Sequence, residues 1–144
     1  MSASAATWYV RTDGEDAADG KTWATAQESI RLGIDNCKQG DTLYVGEGTY
    51  YEGLVLKDGI AVIGVGEVIV DGTNLGTRLI TCEADCKRPT LVQNIIFQNA
   101  RHDQLGGGAW LRGKVTMRRC VVRGCSGEQC GGIRLKVTYR KRRT

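Results

Sequence analysis

A self-similarity near the C-terminal end of the sequence constrains the fold more than any other feature. Leu91-Val-Gln-Asn-Ile-Ile-Phe-Gln-Asn-Ala100 aligns with Thr116-Met-Arg-Arg-Cys-Val-Val-Arg-Gly-Cys125 at an offset of 25 residues. Gly107-Gly-Ala-Trp-Leu111 aligns with Gly131-Gly-Ile-Arg-Leu135 at an offset of 24. A period of this size means stacked units, each burying its apolar side against its neighbours. Every copy joins an apolar stretch to a glycine turn and a second short strand. Alternation within the copies predicts an interior ladder of Ile95 over Cys120, Phe97 over Val122 and Ala109 over Ile133. Ile96, Val121, Gln98 and Arg123 then point outward.

After Gly40, short β-like runs are punctuated by Gly, Asp and Asn. They are Leu43–Val45, Leu54–Leu56, Ile60–Ile63, Val68–Val70, Leu79–Thr81, Leu91–Phe97, Ala109–Leu111, Val115–Val122 and Ile133–Val137. So many runs in so short a chain leave no room for intervening helices, which excludes doubly wound α/β folds. One helix is predicted over residues 25–38. Thr25-Ala-Gln-Glu28 reads as a capping box, Ile30, Ile34 and Cys37 form an apolar stripe, and Gly40 suits a left-handed stop. The expected fold is all-β, a short parallel β-helix preceded by one α-helix. Residues 1–40 form the cap segment and helix, 41–137 the coils and 138–144 a basic tail.

Composition removes several classes. The 144 residues are 41% hydrophobic, too apolar for a disordered polymer, yet no stretch approaches the roughly 20 apolar residues of a membrane helix. The 20 glycines show no period of three, so collagen is out. Six cysteines, Cys37, Cys82, Cys86, Cys120, Cys125 and Cys130, favour an oxidising compartment, secreted or at the cell surface, with the cytoplasm as the alternative. Cys82/Cys86 and Cys125/Cys130 are spaced as loop-closing pairs, but spacing does not fix connectivity. With one His and no paired Cys-x2-Cys, no metal site is expected. Met1–Ala6 has neither the basic nor the apolar part of a signal peptide, while Ala3-Ser4-Ala5 resembles a cleavage site.

Charge is polarised along the chain. Residues 1–100 hold 8 Lys/Arg against 14 Asp/Glu, whereas residues 101–144 hold 12 against 2. Arg112, Arg118, Arg123 and Arg134 fall at outward or turn positions of the last two units. Stacking would bring them into a stripe able to pair with carboxylates or sulfates of an acidic glycan, although outward positions must be polar in any case. Trp110 alternates with Ala109 and Leu111 and is expected outward, as a face for a sugar ring. Tyr50, Tyr51 and Trp23 are further aromatic candidates, with Trp8 and Trp23 expected to pack. The run Arg140–Arg143 would attract nucleic acid only in a sequence-blind, salt-dependent way. Asp71, Asp103 and His102 are candidate catalytic groups. Asp71-Gly72 and Asp58-Gly59 are equally turn signals, and His102-Asp103 equally a solvated loop.

The chain resembles the right-handed parallel β-helix proteins of the pectin-lyase-like superfamily. The resemblance is carried by Trp8-Tyr-Val-Arg-Thr-Asp-Gly, by Asp19-Gly-Lys-Thr-Trp23-Ala-Thr-Ala, by Gly40-Asp-Thr-Leu-Tyr-Val-Gly-Glu-Gly-Thr-Tyr50 and by the Gly-Gly-Gly-Ala units, and spans about residues 8–136. Its repeats are similar to those of polymorphic outer-membrane proteins, with Ala100 standing where their signature has Asn. The resemblance implies that the fold is a short right-handed parallel β-helix with an N-terminal capping α-helix, the opening segment and helix closing the first coil. It also implies a polysaccharide ligand and, were the protein a lyase, calcium. The chain is shorter than the family's enzymes. The expected function is therefore a non-catalytic binding or surface domain for acidic polysaccharide, without a cofactor, that self-associates through an open last coil. The alternatives are a polysaccharide lyase or glycoside hydrolase, and a truncated or mobile fragment acting as an oligomeric scaffold.

Overall fold

Strands here are short, and each finds its partner far away in sequence. The computed structural model describes residues 5–73, 79–82, 86–99, 109–123 and 133–136, of which 109–112 and 133–136 are described by their backbone. Twelve strands and one helix follow in order: β1 (Thr7–Val10), α1 (Ile30–Asn36), β2 (Thr42–Val45), β3 (Gly48–Tyr50), β4 (Leu54–Leu56), β5 (Ala61–Gly64), β6 (Val68–Asp71), β7 (Ile80–Cys82), β8 (Cys86–Gln93), β9 (Ile96–Gln98), β10 (Ala109–Arg118), β11 (Val121–Arg123) and β12 (Ile133–Lys136). The fold is all-β with one helix, and every strand pairing is parallel among the described residues.

One sheet runs β1-β2-β5-β8-β10-β7-β4, with β12 added on β10, and the second runs β11-β9-β6-β3. Strand β10 serves two rows, its first half beside β7 and β12 and its second half beside β8. Thr116 lies opposite Leu91, Val122 opposite Phe97 and Ile133 opposite Ala109, the correspondences the repeat predicts.

Because alternate residues share a face, register builds buried columns. Leu43, Val62, Val92 and Met117 form one, and Tyr50, Val70 and Phe97 a second that the partly buried Val122 extends. Leu54 and Ile80 belong to a third. Ile95 is fully buried and Cys120 packs against the same core, while Val121 is 48% exposed.

Several boundaries differ from the sequence expectation. The run Leu91–Phe97 breaks into β8 and β9 because Asn94 adopts φ 58°, and Val115–Val122 breaks at Arg119, φ 54°. Strands β1 and β3 were not among the predicted runs. The helix begins at Ile30, not Thr25. The Thr25 hydroxyl donates to Asp19 (2.7 Å) instead of capping. The opening donors are met by distant carboxylates: Asp16 accepts from the Glu28 and Ser29 amides, and Glu52 from those of Ile30 and Arg31. Cys37 closes the helix, and Gly40, φ 89°, serves the turn into β2, its amide donating to Gly59. No helix of the described residues is long and apolar enough to cross a membrane.

Candidate functional site

The outer face of the large sheet carries a row that crosses five strands in register: Tyr9, Tyr44, Ile63, Gln93 and Arg118. The first four are half-buried and Arg118 is exposed. Tyr9 and Tyr44 stack with ring centroids 5.8 Å apart and planes 28° apart. Trp23 joins from the loop before the helix, its ring 4.8 Å from that of Tyr9. That loop is held by the Asp19 carboxylate, which accepts from the Lys21 amide and the Thr25 hydroxyl. Gly46 is buried beside the Trp23 ring, where even a Cβ would press on the indole at 3.2 Å. The result is an aromatic platform at one end of the row and a guanidinium at the other.

On the second sheet, Asp71, Gln98 and Arg123 are also in register. Asp71 is 4% exposed and both its oxygens are engaged. One accepts from the amide and hydroxyl of Thr73 (2.8 and 2.6 Å), the other from Gln98 Nε2 (2.8 Å) and Asn99 Nδ2 (3.0 Å). Burial alone would raise the Asp71 pKa, but the Thr73, Gln98 and Asn99 donors outweigh it and hold the carboxyl at about 2. A general acid needs the opposite environment. Asp58 likewise spends a carboxylate oxygen on the Arg88 amide (2.7 Å).

A cleft of about 330 Å³ opens beside the helix start, with Asp16, Glu28, Tyr51 and Glu52 in its lining. The hydroxyl and amide of Ser29 draw the Asp16 carboxyl below its usual range, while burial pushes Glu52 up despite its two backbone donors. Both carboxylates anchor the helix.

The sequence candidates are spread over the molecule. Trp110 and Arg134 are backbone neighbours across β10 and β12, and Arg112 lies opposite Lys136. The side chains of Trp110, Arg112 and Arg134 lie outside the described residues, as do His102 and Asp103. Arg118 lies opposite Gln93 on the large sheet, and Arg123 on the other sheet donates to Gln98 Oε1 (2.9 and 3.1 Å). Tyr50 is buried, with its hydroxyl donated to the Gly46 carbonyl (2.8 Å), so it offers no face to a sugar. Trp23, expected to pack, is 36% exposed. Tyr9 and Tyr44 were missed because only strand register shows that they share a row. No group of three or more His, Cys, Asp or Glu among the described residues could hold a metal ion. No protein-family model, curated protein or solved structure matches this chain.

Proposed function

We propose that the chain is a short right-handed parallel β-helix that acts as a non-catalytic, secreted or cell-surface binding module for acidic polysaccharide. The observation that carries the ligand reading is the Tyr9–Tyr44–Ile63–Gln93–Arg118 row with Trp23 at its head. Five strands at about 4.8 Å give it a length of roughly 19 Å. Flat half-buried rings offer apolar faces to sugar rings, Gln93 offers an amide, and Arg118 can pair bidentately with a carboxylate or sulfate. The helical reading rests on the parallel registers together with the strong preference of parallel crossovers for the right hand. Strands β2-β3-β4, β5-β6-β7, β8-β9 with the first half of β10, and the second half of β10 with β11-β12 would be successive coils. The non-catalytic reading is supported by Asp71, whose oxygens are all committed.

We also propose self-association through the last coil, where β12 pairs only with β10 among the described residues and Val121 is exposed. Light scattering at increasing concentration tests this, and a strict monomer refutes it.

Electrophoresis through gels containing polygalacturonate, heparin or a neutral glucan tests the ligand. The expected result is retardation by the acidic polymers, weakened by salt, with Trp23→Ala and Arg118→Ala each losing about fivefold, equivalent to about 1 kcal/mol. Retardation that both variants retain in full would refute the row as the site. Release of unsaturated or reducing ends would overturn the non-catalytic reading.

A further inference from the structure

Cys82 ends β7 and Cys86 begins β8, and their Sγ atoms lie 3.5 Å apart. A disulfide bond is about 2.05 Å long, so the two sulfurs need approach each other by only about 1.5 Å to bond. The surroundings differ: Cys86 is fully buried and Cys82 half-buried. The Cys86 thiol donates its hydrogen to Cys82, whose sulfur is the more accessible of the two. That hydrogen bond, followed by burial, pushes the Cys86 thiol up. Cys120 makes different contacts, its thiol meeting the carbonyls of Val92 and Arg118, both at 3.5 Å.

We propose that Cys82 and Cys86 are a redox modification site, a dithiol that a low-molecular-weight disulfide such as oxidised glutathione converts reversibly into an intrachain bridge. In the first step Cys82 gives its proton to solvent and attacks one sulfur of the small disulfide. A mixed disulfide forms, the small S–S bond breaks and one small thiolate leaves. In the second, Cys86 gives its proton to solvent and attacks Cys82 Sγ, expelling the second small thiolate. Two protein thiols are oxidised, and one small disulfide is reduced to two thiols.

The position gives the bridge a structural consequence. Cys86 lies opposite Gly113, φ 88°, where the β10 register shifts and its partner changes from β7 to β8. A bond there ties the end of β7 to the start of β8 at the junction of three strands. It does not depend on any polysaccharide contact.

The test is disulfide mapping by mass spectrometry on the whole chain, equilibrated with oxidised or reduced glutathione and then alkylated in denaturant. Cys82 and Cys86 should be linked and protected from alkylation after oxidation, and alkylated after reduction. Cys86→Ser should accumulate a glutathione adduct on Cys82, and Cys82→Ser at least tenfold less adduct on Cys86. The wild-type map needs neither variant to fold. Both sulfurs remaining alkylatable after oxidation, or Cys82 bonding to another cysteine, would overturn the proposal.

Discussion

Gln98 Nε2 donates to Asp71 Oδ2 at 2.8 Å, and the oxygen of the same amide accepts from Arg123 at 2.9 Å, so one side chain joins an anion and a cation two strands apart. Asp71 thereby organises the second sheet and the turn at Thr73 together. Asp71→Asn would place an amide NH2 where a carboxylate oxygen meets two donors. It is expected to cost about 2–3 kcal/mol in urea unfolding, from the loss of charge-assisted hydrogen bonds at a buried position. A loss below about 0.5 kcal/mol would mean that the ladder is not structural.

The pH dependence of that cost follows from the depressed pKa. Asp71 goes from an ordinary value of 3.8 to about 2 on folding, so its stabilisation is complete above the higher value and is lost as pH falls through the lower one. The stability gap between wild type and Asp71→Asn should therefore narrow on acidification from pH 3.8 to about 2. Constant-gap unfolding curves over that window would contradict the assignment.

Glu52 should behave in the opposite sense. Its folded pKa is raised, so its contribution is greatest below the ordinary value of 4.5 and declines as pH rises through the folded value. Glu52→Gln removes the titration and keeps one acceptor for the helix start. Thermal midpoints measured from pH 4.5 to neutrality should fall more for wild type than for this variant. Parallel slopes would show that Glu52 titrates as it does in water.

Much of this architecture is legible in the sequence because the repeat is a register. Leu91 and Thr116, or Phe97 and Val122, could be matched as strings and do lie opposite each other. The helix start was misread because its caps are not local: Asp16 and Glu52 come from loops on either side of it, and no window of sequence contains all three. The aromatic row has the same origin. Tyr9 and Tyr44 are far apart in sequence and become neighbours only through the pairing of β1 with β2.

The repeat also exposes a position where one copy suits its backbone less well. Asn94 and Arg119 occupy equivalent sites, both in the left-handed region, at φ 58° and 54°. Asparagine tolerates this region better than arginine. Asn94 also uses its amide, donating to the Gly64 carbonyl at 2.9 Å. Arg119→Gly is therefore expected to raise stability by about 1 kcal/mol, and Asn94→Gly to lower it, in chemical denaturation. Destabilisation by Arg119→Gly would mean that the arginine makes a compensating contact.

Gly46 links the scaffold to the proposed ligand row. A Cβ there would stand 3.2 Å from the Trp23 ring and 3.2 Å from the Val10 carbonyl oxygen. The carbonyl cannot retreat easily, because it accepts the Gly46 amide at 2.8 Å within the parallel sheet. The indole is the freer partner, so Gly46→Ala should displace Trp23 from Tyr9 and change its fluorescence. Stability should drop by about 1 kcal/mol, in the range for one added methyl group in a packed site. Retardation by polygalacturonate should weaken as much as in Trp23→Ala, although the indole is still present. A displaced ring with undiminished retardation would separate the platform from the ligand and leave Arg118 as the end of the row that binds.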